Sequence, residues 1–435
     1  MPVFARILAF SVIASSVIVA TSPVAGLVSG ALASPVEPAG SVSSGGSDAR
    51  HVFTVMPPLQ FAVDQRLRKN VDFWIDIYSK YTSRQGLIHD AKYIDHVYEV
   101  IDLDRASRGT RDAKNRWKKV LLSVHRKQKD PSSFSDEERK VFELFQDVNE
   151  PNKFLNAAHR KRLRFQLGQK DIFLDGFKHS GRYLPEMERI FAEQGMPVEL
   201  TRLPFVESSF NVRARSKVGA SGIWQFMRST GRLYLKINDA VDERNDPIRA
   251  TEAAAKLLRG NFESLGRWPL AVTAYNHGRK GMMRAVRQVG SEEIEDLVGN
   301  YRGRTFGFAS SNFFTELLAA IEVERNAEKY LGKVERHKPI PSIEAPIPHY
   351  IALPQLVRLM KLDPAKVKEL NPALSDGVYA GKYLIPAGYR LRLPYDGKLE
   401  KEAALKVFFA GYEEIPAAYK LQGQRVGKYA KRPRK

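Results

Sequence analysis

The 435-residue sequence contains no cysteine. That excludes disulfides, a thiolate nucleophile, cysteine-based metal sites and a lipid anchor through an N-terminal cysteine. Its nine histidines are scattered, without a metal-ligand spacing such as His-Glu-x-x-His. A glycine-rich phosphate loop is missing too, so neither a metal nor a cofactor is expected. No ordinary transmembrane span is evident, since none of the apolar runs reaches the roughly 20 residues a spanning helix needs. Acids are scarce beside bases: 49 against 69, a net charge of +20. A surplus that large favours polyanionic partners, whether nucleic acid, anionic membrane or acidic cell-wall polymer.

What is present narrows the choice. The length allows two or three domains with cores of their own. A hydrophobic content of 43% and an aromatic content of 10% are ordinary for a globular protein. Residues 1–33 read as a secretory signal peptide: Arg6, an apolar stretch from Ile7 to Ala20, then Ala31-Leu32-Ala33 as a cleavage signal. An uncleaved anchor is the alternative, because Val24 to Leu32 prolongs the apolar character. Export implies the periplasm or cell envelope, where nucleic acid is rarely met. The basic surface is then expected to face cell wall or membrane. The oligomeric state is not legible.

The chain divides by composition. Residues 34–50 are a Ser-, Gly- and Pro-rich linker. Residues 51–154 are expected to be helical. Val63, Leu67, Val71, Ile75 and Tyr78 recur every three or four positions, as do Ile94, Val97, Tyr98 and Ile101, with Gly86 breaking the two. Arg105 to Lys129 is basic around a narrow stripe of Trp117, Val120 and Leu121. Ser135 with Glu138 makes a capping box. Residues 155–336 read as an all-helical region that should carry the chemistry. Asp246-Pro247 marks a helix start there, and Phe313, Phe314, Leu317, Leu318 and Ile321 mark a long final helix. Residues 337–348 are a proline-rich linker. In 349–396, two short helices are followed by Leu-Asn-Pro-Ala-Leu (370–374) and a strand-like alternation from Tyr389 to Pro394. Residues 397–435 form a basic tail.

One stretch stands out, Leu203 to Met227. Its single carboxylate is Glu207, preceded by Leu203, Pro204, Phe205 and Val206 and followed by Phe210. A carboxyl among such neighbours is poorly hydrated, which raises its pKa and suits it to general-acid work. Pro204, read as lying inside that helix, should bend or break it. Downstream, Gly219, Ala220, Ser221 and Gly222 allow a close backbone approach. Trp224, Gln225, Phe226 and Met227 would wall a groove for a polar, ring-shaped ligand.

Taken together, Glu207-Ser208, Ser216, Gly222-Ile-Trp-Gln225-Phe-Met227 and Ala274-Tyr275-Asn276-His277-Gly278 resemble the catalytic pattern of the soluble-lytic-transglycosylase family. The Trp-Gln-Phe form looks most like the membrane-bound lytic transglycosylase D branch. His277 stands where the family usually has alanine, and Arg228 where proline is common. The resemblance implies a mainly α chain: a lysozyme-like helical catalytic domain, an N-terminal helical extension, and a small α+β module at the C-terminus. Residues 349–396 resemble a LysM-like wall-binding module, although its first strand is not recognisable.

The resemblance also implies an activity on peptidoglycan glycan strands. The β-1,4 bond between N-acetylmuramic acid and N-acetylglucosamine would be cleaved without water, leaving a 1,6-anhydro end. Glu207 would act as the single acid and base. Ser216, Gly222, Gln225, Met227, Tyr275 and Asn276 would bind or line the substrate. No second carboxylate can be placed in the groove from sequence. Asp239, Asp242, Glu243 and Asp246 read as loop and capping residues, and His277 as a loop histidine in solvent. The rival readings are a lysozyme-type hydrolase on the same fold, an idle peptidoglycan-binding protein, and a basic nucleic-acid binder, against which the export signal speaks.

Overall fold

The computed structural model describes residues 56–58, 64–104 and 109–421. The expected signal peptide, the 34–50 linker and the tail beyond 421 lie outside those residues. Helix α1 (Gln65–Ser79) is capped by Asp64, whose carboxylate accepts from the Arg66 N–H at 2.8 Å. It buries Leu67, Val71, Ile75 and Tyr78 at helical spacing, as the sequence predicts, with Trp74 beside them; Val63 lies outside the described residues.

The second expected helix of this region is not formed. Strands β1 (Gln85–Asp90) and β2 (Val97–Asp102) pair antiparallel in its place. Strand β2 carries Val97, Val100 and Ile101, residues that fit a pleated surface better than a helix. The pairing register shifts between Ile88 and His89, and Tyr98 and Ile101, three positions apart, both join one core. That spacing imitates a helix face. Gly86 is likewise no breaker, for it lies inside β1, where an added Cβ would meet the Phe165 ring at 2.1 Å.

Helix α2 (Gly109–Lys127) buries the predicted Trp117–Val120–Leu121 stripe together with Val124. Helix α3 (Asp136–Leu144) starts with the Ser135–Glu138 capping box, both halves of which are made. Strand β3 (Leu163–Leu167) then pairs with the free edge of β1, giving the order β2-β1-β3. The 155–336 region is therefore not all helix. Leu121, Phe145, Phe154, Leu163 and Tyr98 form a small core between α2, α3 and the sheet.

Among the further helices of this half are α4 (Lys170–Ser180), α5 (Leu184–Glu193), α6 (Leu203–Ser208), α7 (Pro247–Leu265), α8 (Trp268–His277), α9 (Arg279–Val289) and α10 (Phe308–Arg325). Asp246 caps α7 by accepting from the Ile248 and Arg249 N–H groups. Helix α10 is buried on most sides, with Phe313, Phe314, Leu317, Leu318 and Ile321 inside. Helix α1 packs along it, and the Asn70 and Trp74 side chains donate to Asn312 Oδ1 at 3.0 and 3.3 Å. One large core thus joins α1 to residues 173–323, so the packing does not divide at the 154/155 boundary expected from composition.

The proline-rich segment 337–348 is also more than a linker. It contains β4 (Ser342–Pro346), antiparallel to β5 (Arg390–Pro394), with α11 (Leu353–Leu359) and α12 (Pro364–Leu370) between them. Prolines at the strand end and in the flanking chain leave the ladder intact. Asn371, buried after α12, donates to the Arg392 carbonyl at 2.7 Å and accepts from its N–H at 2.9 Å. Helix α13 (Lys401–Glu413), in the region expected as tail, closes this core with Phe408 and Tyr412. The module is docked on the larger half. Arg392 pairs with Asp246 at 2.6 Å and Glu344 at 3.1 Å, and Ala240 and Val241 enter its core. Among the described residues no helix is long and apolar enough to cross a membrane.

Candidate functional site

The chain reaches Glu207 through a 3-10 turn (Val198–Arg202) that passes directly into α6. Pro204 lies in the first turn of α6, where its missing N–H costs nothing, so it starts a helix and does not bend one. Helix α6 ends abruptly because Ser209 and Phe210 are both left-handed, with φ of 48° and 56°. Two such residues in succession are strained. The Phe210 ring, packed 4.7 Å from Phe205, holds the turn.

Glu207, the fifth residue of α6, is 7% exposed. Its carboxyl makes no hydrogen bond among the described residues. Burial, and secondarily the charge of Glu316, push its pKa up to about 8. The group is therefore mostly protonated at neutral pH. Tyr275 is half-buried; desolvation of its hydroxyl, helped by the charge of Glu207, pushes it well above the ordinary range. Ser208, the next residue, donates to the Ile223 carbonyl at 2.8 Å and ties α6 to the glycine loop.

That loop is built on backbone geometry only glycine supplies easily. Gly222 has φ +78°, and a Cβ there would lie 1.8 Å from the Arg244 carbonyl. Gln225 is left-handed too, at φ 47°. Its amide donates to the Gly222 and Ala214 carbonyls at 2.8 and 3.2 Å, leaving Oε1 as its open atom. Ser216 closes the preceding turn, its hydroxyl accepting from Ala220 N–H at 2.9 Å. Met227 is half-buried at the end of the loop. Trp224 is fully buried and donates to Thr251 Oγ1 at 2.9 Å.

Tyr275 and Asn276 come from the last turn of α8. The Tyr275 hydroxyl donates to the Trp224 carbonyl at 2.7 Å, and its ring stacks near-parallel to Phe313 at 6.3 Å. Asn276 Oδ1 accepts from Ser310 of α10 at 2.8 Å, which orients its amide. The structure thus brings Glu207, Gly222, Gln225, Tyr275 and Asn276 together through direct bonds between their segments. Ser216 and Met227 flank them on the loop.

Three residues of the site were not legible in the sequence. Glu316 on α10, half-buried, is a second carboxyl whose charge Glu207 feels, and desolvation pushes it up to about 8 as well. The signal was the one used for Glu207, a lone acid in an apolar run (Phe313, Phe314, Leu317, Leu318). Tyr78 of α1 feels both carboxyls, so the N-terminal region reaches the site. Arg244 is 6% exposed and donates to the Gly219 and Phe226 carbonyls at 2.8 and 3.0 Å while paired with Asp242 at 2.7 Å. It clamps the loop from below. The reading of Asp242 and Asp246 as capping residues holds, since each caps the helix that follows it. His277 is not in solvent. It ends α8, 5% exposed, with its ring edge-on to Tyr301 and Phe306, and burial pushes its pKa down.

A protonated, buried glutamic acid, a glycine-built loop and a tyrosine–asparagine pair occur here on a lysozyme-like, mainly α-helical scaffold. Residues 188–298 match the family model of the Transglycosylase SLT domain, so this part of the chain is an SLT domain. Particular relatives agree. The chain is 34% identical over 147 residues to membrane-bound lytic murein transglycosylase D of Escherichia coli K12, covering 32% of this chain and 30% of the relative. The protein of the same name in Escherichia coli O6:H1 gives the same figures. A putative tributyltin chloride resistance protein of an Alteromonas species is 32% identical over 117 residues, 25% of this chain and 56% of its own. The chain thus spans about a third of the length of the first two relatives. Glu316 and Ser310 lie beyond the matched domain.

Proposed function

We propose that the protein is a lytic transglycosylase of peptidoglycan. It would cleave the β-1,4 bond between N-acetylmuramic acid and N-acetylglucosamine and leave a 1,6-anhydromuramic end. The observation that carries this reading is Glu207, a carboxyl kept protonated by burial within the SLT domain and beside Tyr275. Its proton goes to the glycosidic oxygen as the bond to C1 breaks. The carboxylate so formed takes the proton of the muramic C6 hydroxyl while that oxygen bonds to C1. The group ends protonated, and no water is consumed. One residue can serve both transfers only if its pKa is near the working pH, which burial provides.

In this reading Tyr275 and Asn276 hold the N-acetyl group and steady the charge at C1. The Gln225 Oε1 and the Gly222 backbone face the sugar, and Ser216 and Met227 shape the loop around it. Glu316 is the specific reason to weigh hydrolysis, which ordinarily uses two carboxyl groups. Desolvation raises Glu316 to about 8, however, so at neutral pH it is mostly the neutral acid, which neither activates water nor attacks C1. The transglycosylase reading is therefore preferred. The envelope is the expected compartment, and we propose wall contact for the docked module of β4, α11, α12 and β5.

The test is digestion of purified sacculi with product masses. Anhydro products, lighter than hydrated ones by the mass of one water, are expected from the wild type and none from Glu207→Gln. Hydrated reducing ends, or turnover by the variant, would refute the assignment.

A further inference from the structure

Strand β3 presents two arginines with different fates. Arg162, just before it, is matched by Asp90 at 2.7 Å and Glu150 at 3.3 Å. Arg164 has no acid partner among the described residues. It lies across from His89 in the β1–β3 register, half-buried, with its Nε buried and unpaired. Its guanidinium lies 4.1 Å from the centre of the Phe308 ring. Lys114, half-buried on α2, is a second cation without an acid partner among the described residues. Burial pushes both groups down, and Arg164 pushes Lys114 further. His89, fully buried behind them, is held neutral by burial, its pKa near 3, and offers no counter-charge. Two partly desolvated like charges without a counter-ion are costly for a fold to keep.

Their position gives the cost a use. Phe308 is the first residue of α10, and that helix start has no acidic residue in its first turn and no side-chain cap, so its N–H groups are unmatched. Two residues on, Ser310 holds Asn276 of the site at 2.8 Å. Arg164 therefore stands against the first residue of α10, two residues before the serine that holds Asn276, and it lies with Lys114 in the N-terminal region, outside the matched SLT segment.

We propose that Arg164, at the start of α10, and the neighbouring Lys114 form a subsite for a carboxylate of the substrate. This rests on the peptidoglycan reading. Two sources share that chemistry: the carboxylates of the attached peptide and, where the peptide is absent, the lactyl carboxylate of muramic acid that its amide bond otherwise occupies. A carboxylate seated there would match both cations and fix the register of the glycan over Glu207.

The test is binding by full-length Glu207→Gln protein, so that turnover does not intrude. Three solubilised glycan fragments serve as probes: peptide-bearing, peptide-stripped with a free lactyl carboxylate, and peptide-bearing with its carboxylates converted to neutral amides. The fragment whose carboxylate reaches the subsite is expected to bind about tenfold or more tightly than the amidated one, the effect of gaining a charge-assisted contact. Adding Arg164→Gln or Lys114→Gln should raise Kd for that fragment and leave the amidated one unchanged. Tight binding of the stripped fragment assigns the lactyl group; weak binding assigns the peptide. Equal Kd for all three fragments, no binding of any, or an equal loss on all three in the variants would overturn the subsite. Lys114→Gln removes no ring stacking, so it carries the test should Arg164→Gln fail to fold. Release of anhydro products by the wild type is read separately, so a failed subsite leaves the activity standing.

Discussion

Ionising Glu207 in place is unfavourable, and the fold bears that cost at every pH above the acid range. The carboxyl titrates near 4.5 when hydrated and near 8 when buried. At about 1.4 kcal/mol per tenfold change, the full difference corresponds to about 5 kcal/mol. The unfolded chain ionises the group above roughly 4.5, whereas the folded chain keeps it protonated until about 8. The stability contributed at this position is therefore whole below 4.5, falls as pH rises, and is fully lost above 8. Glutamine has the same shape and no proton to lose. At pH 7 the unfolded wild type has gained about 3 kcal/mol by ionising, a gain the variant lacks. Glu207→Gln should therefore be more stable than wild type by about 3 kcal/mol at pH 7, by more at pH 8, and by little at pH 4.5. Denaturant unfolding of both proteins across this range measures the gap. An equal midpoint at every pH, or a gap that does not close toward acid, would refute a buried, protonated glutamic acid here.

Further outcomes follow from the same geometry. Glu316→Gln removes the charge that helps raise Glu207, so the descending, alkaline limb of the pH–activity profile should move acidward, by about one unit or less; an unmoved limb would disconnect the two carboxyls. Gly222→Ala places a Cβ 1.8 Å from the Arg244 carbonyl at a left-handed residue, so a loss of at least about 2 kcal/mol is expected in thermal or denaturant unfolding, with activity falling alongside. Unchanged stability would show that the loop is not held against Arg244. Arg392→Met leaves Asp246 and its α7 cap buried without their cation, since the two side chains are 12% and 7% exposed. A cost of about 3–5 kcal/mol and faster proteolytic cleavage between the two halves are expected; wild-type resistance would argue against docking through that pair.

Local chemistry made much of the molecule legible from sequence. The α1 stripe, the Ser135–Glu138 box, the Asp246 cap and the β5 alternation depend on neighbours a few positions away, and all are found. Glu207 was legible for the same reason, as the lone acid between Leu203–Val206 and Phe210. Strands β1 and β2 were not, since their pairing is settled by β3, more than sixty positions away, and by a register shift that mimics helical spacing. Strand β4 was hidden among prolines until β5, over forty positions on, supplied its ladder.

The sequence by itself determined which residue could be the acid and what loop stands before it, because composition and short spacings decide hydration and backbone freedom. Only the tertiary structure decided what surrounds that acid. Glu316 comes to it on α10, Tyr78 on α1, and Arg244 holds the loop from beneath. Charge interactions act through space, and the distances that set them exist only once the helices are packed.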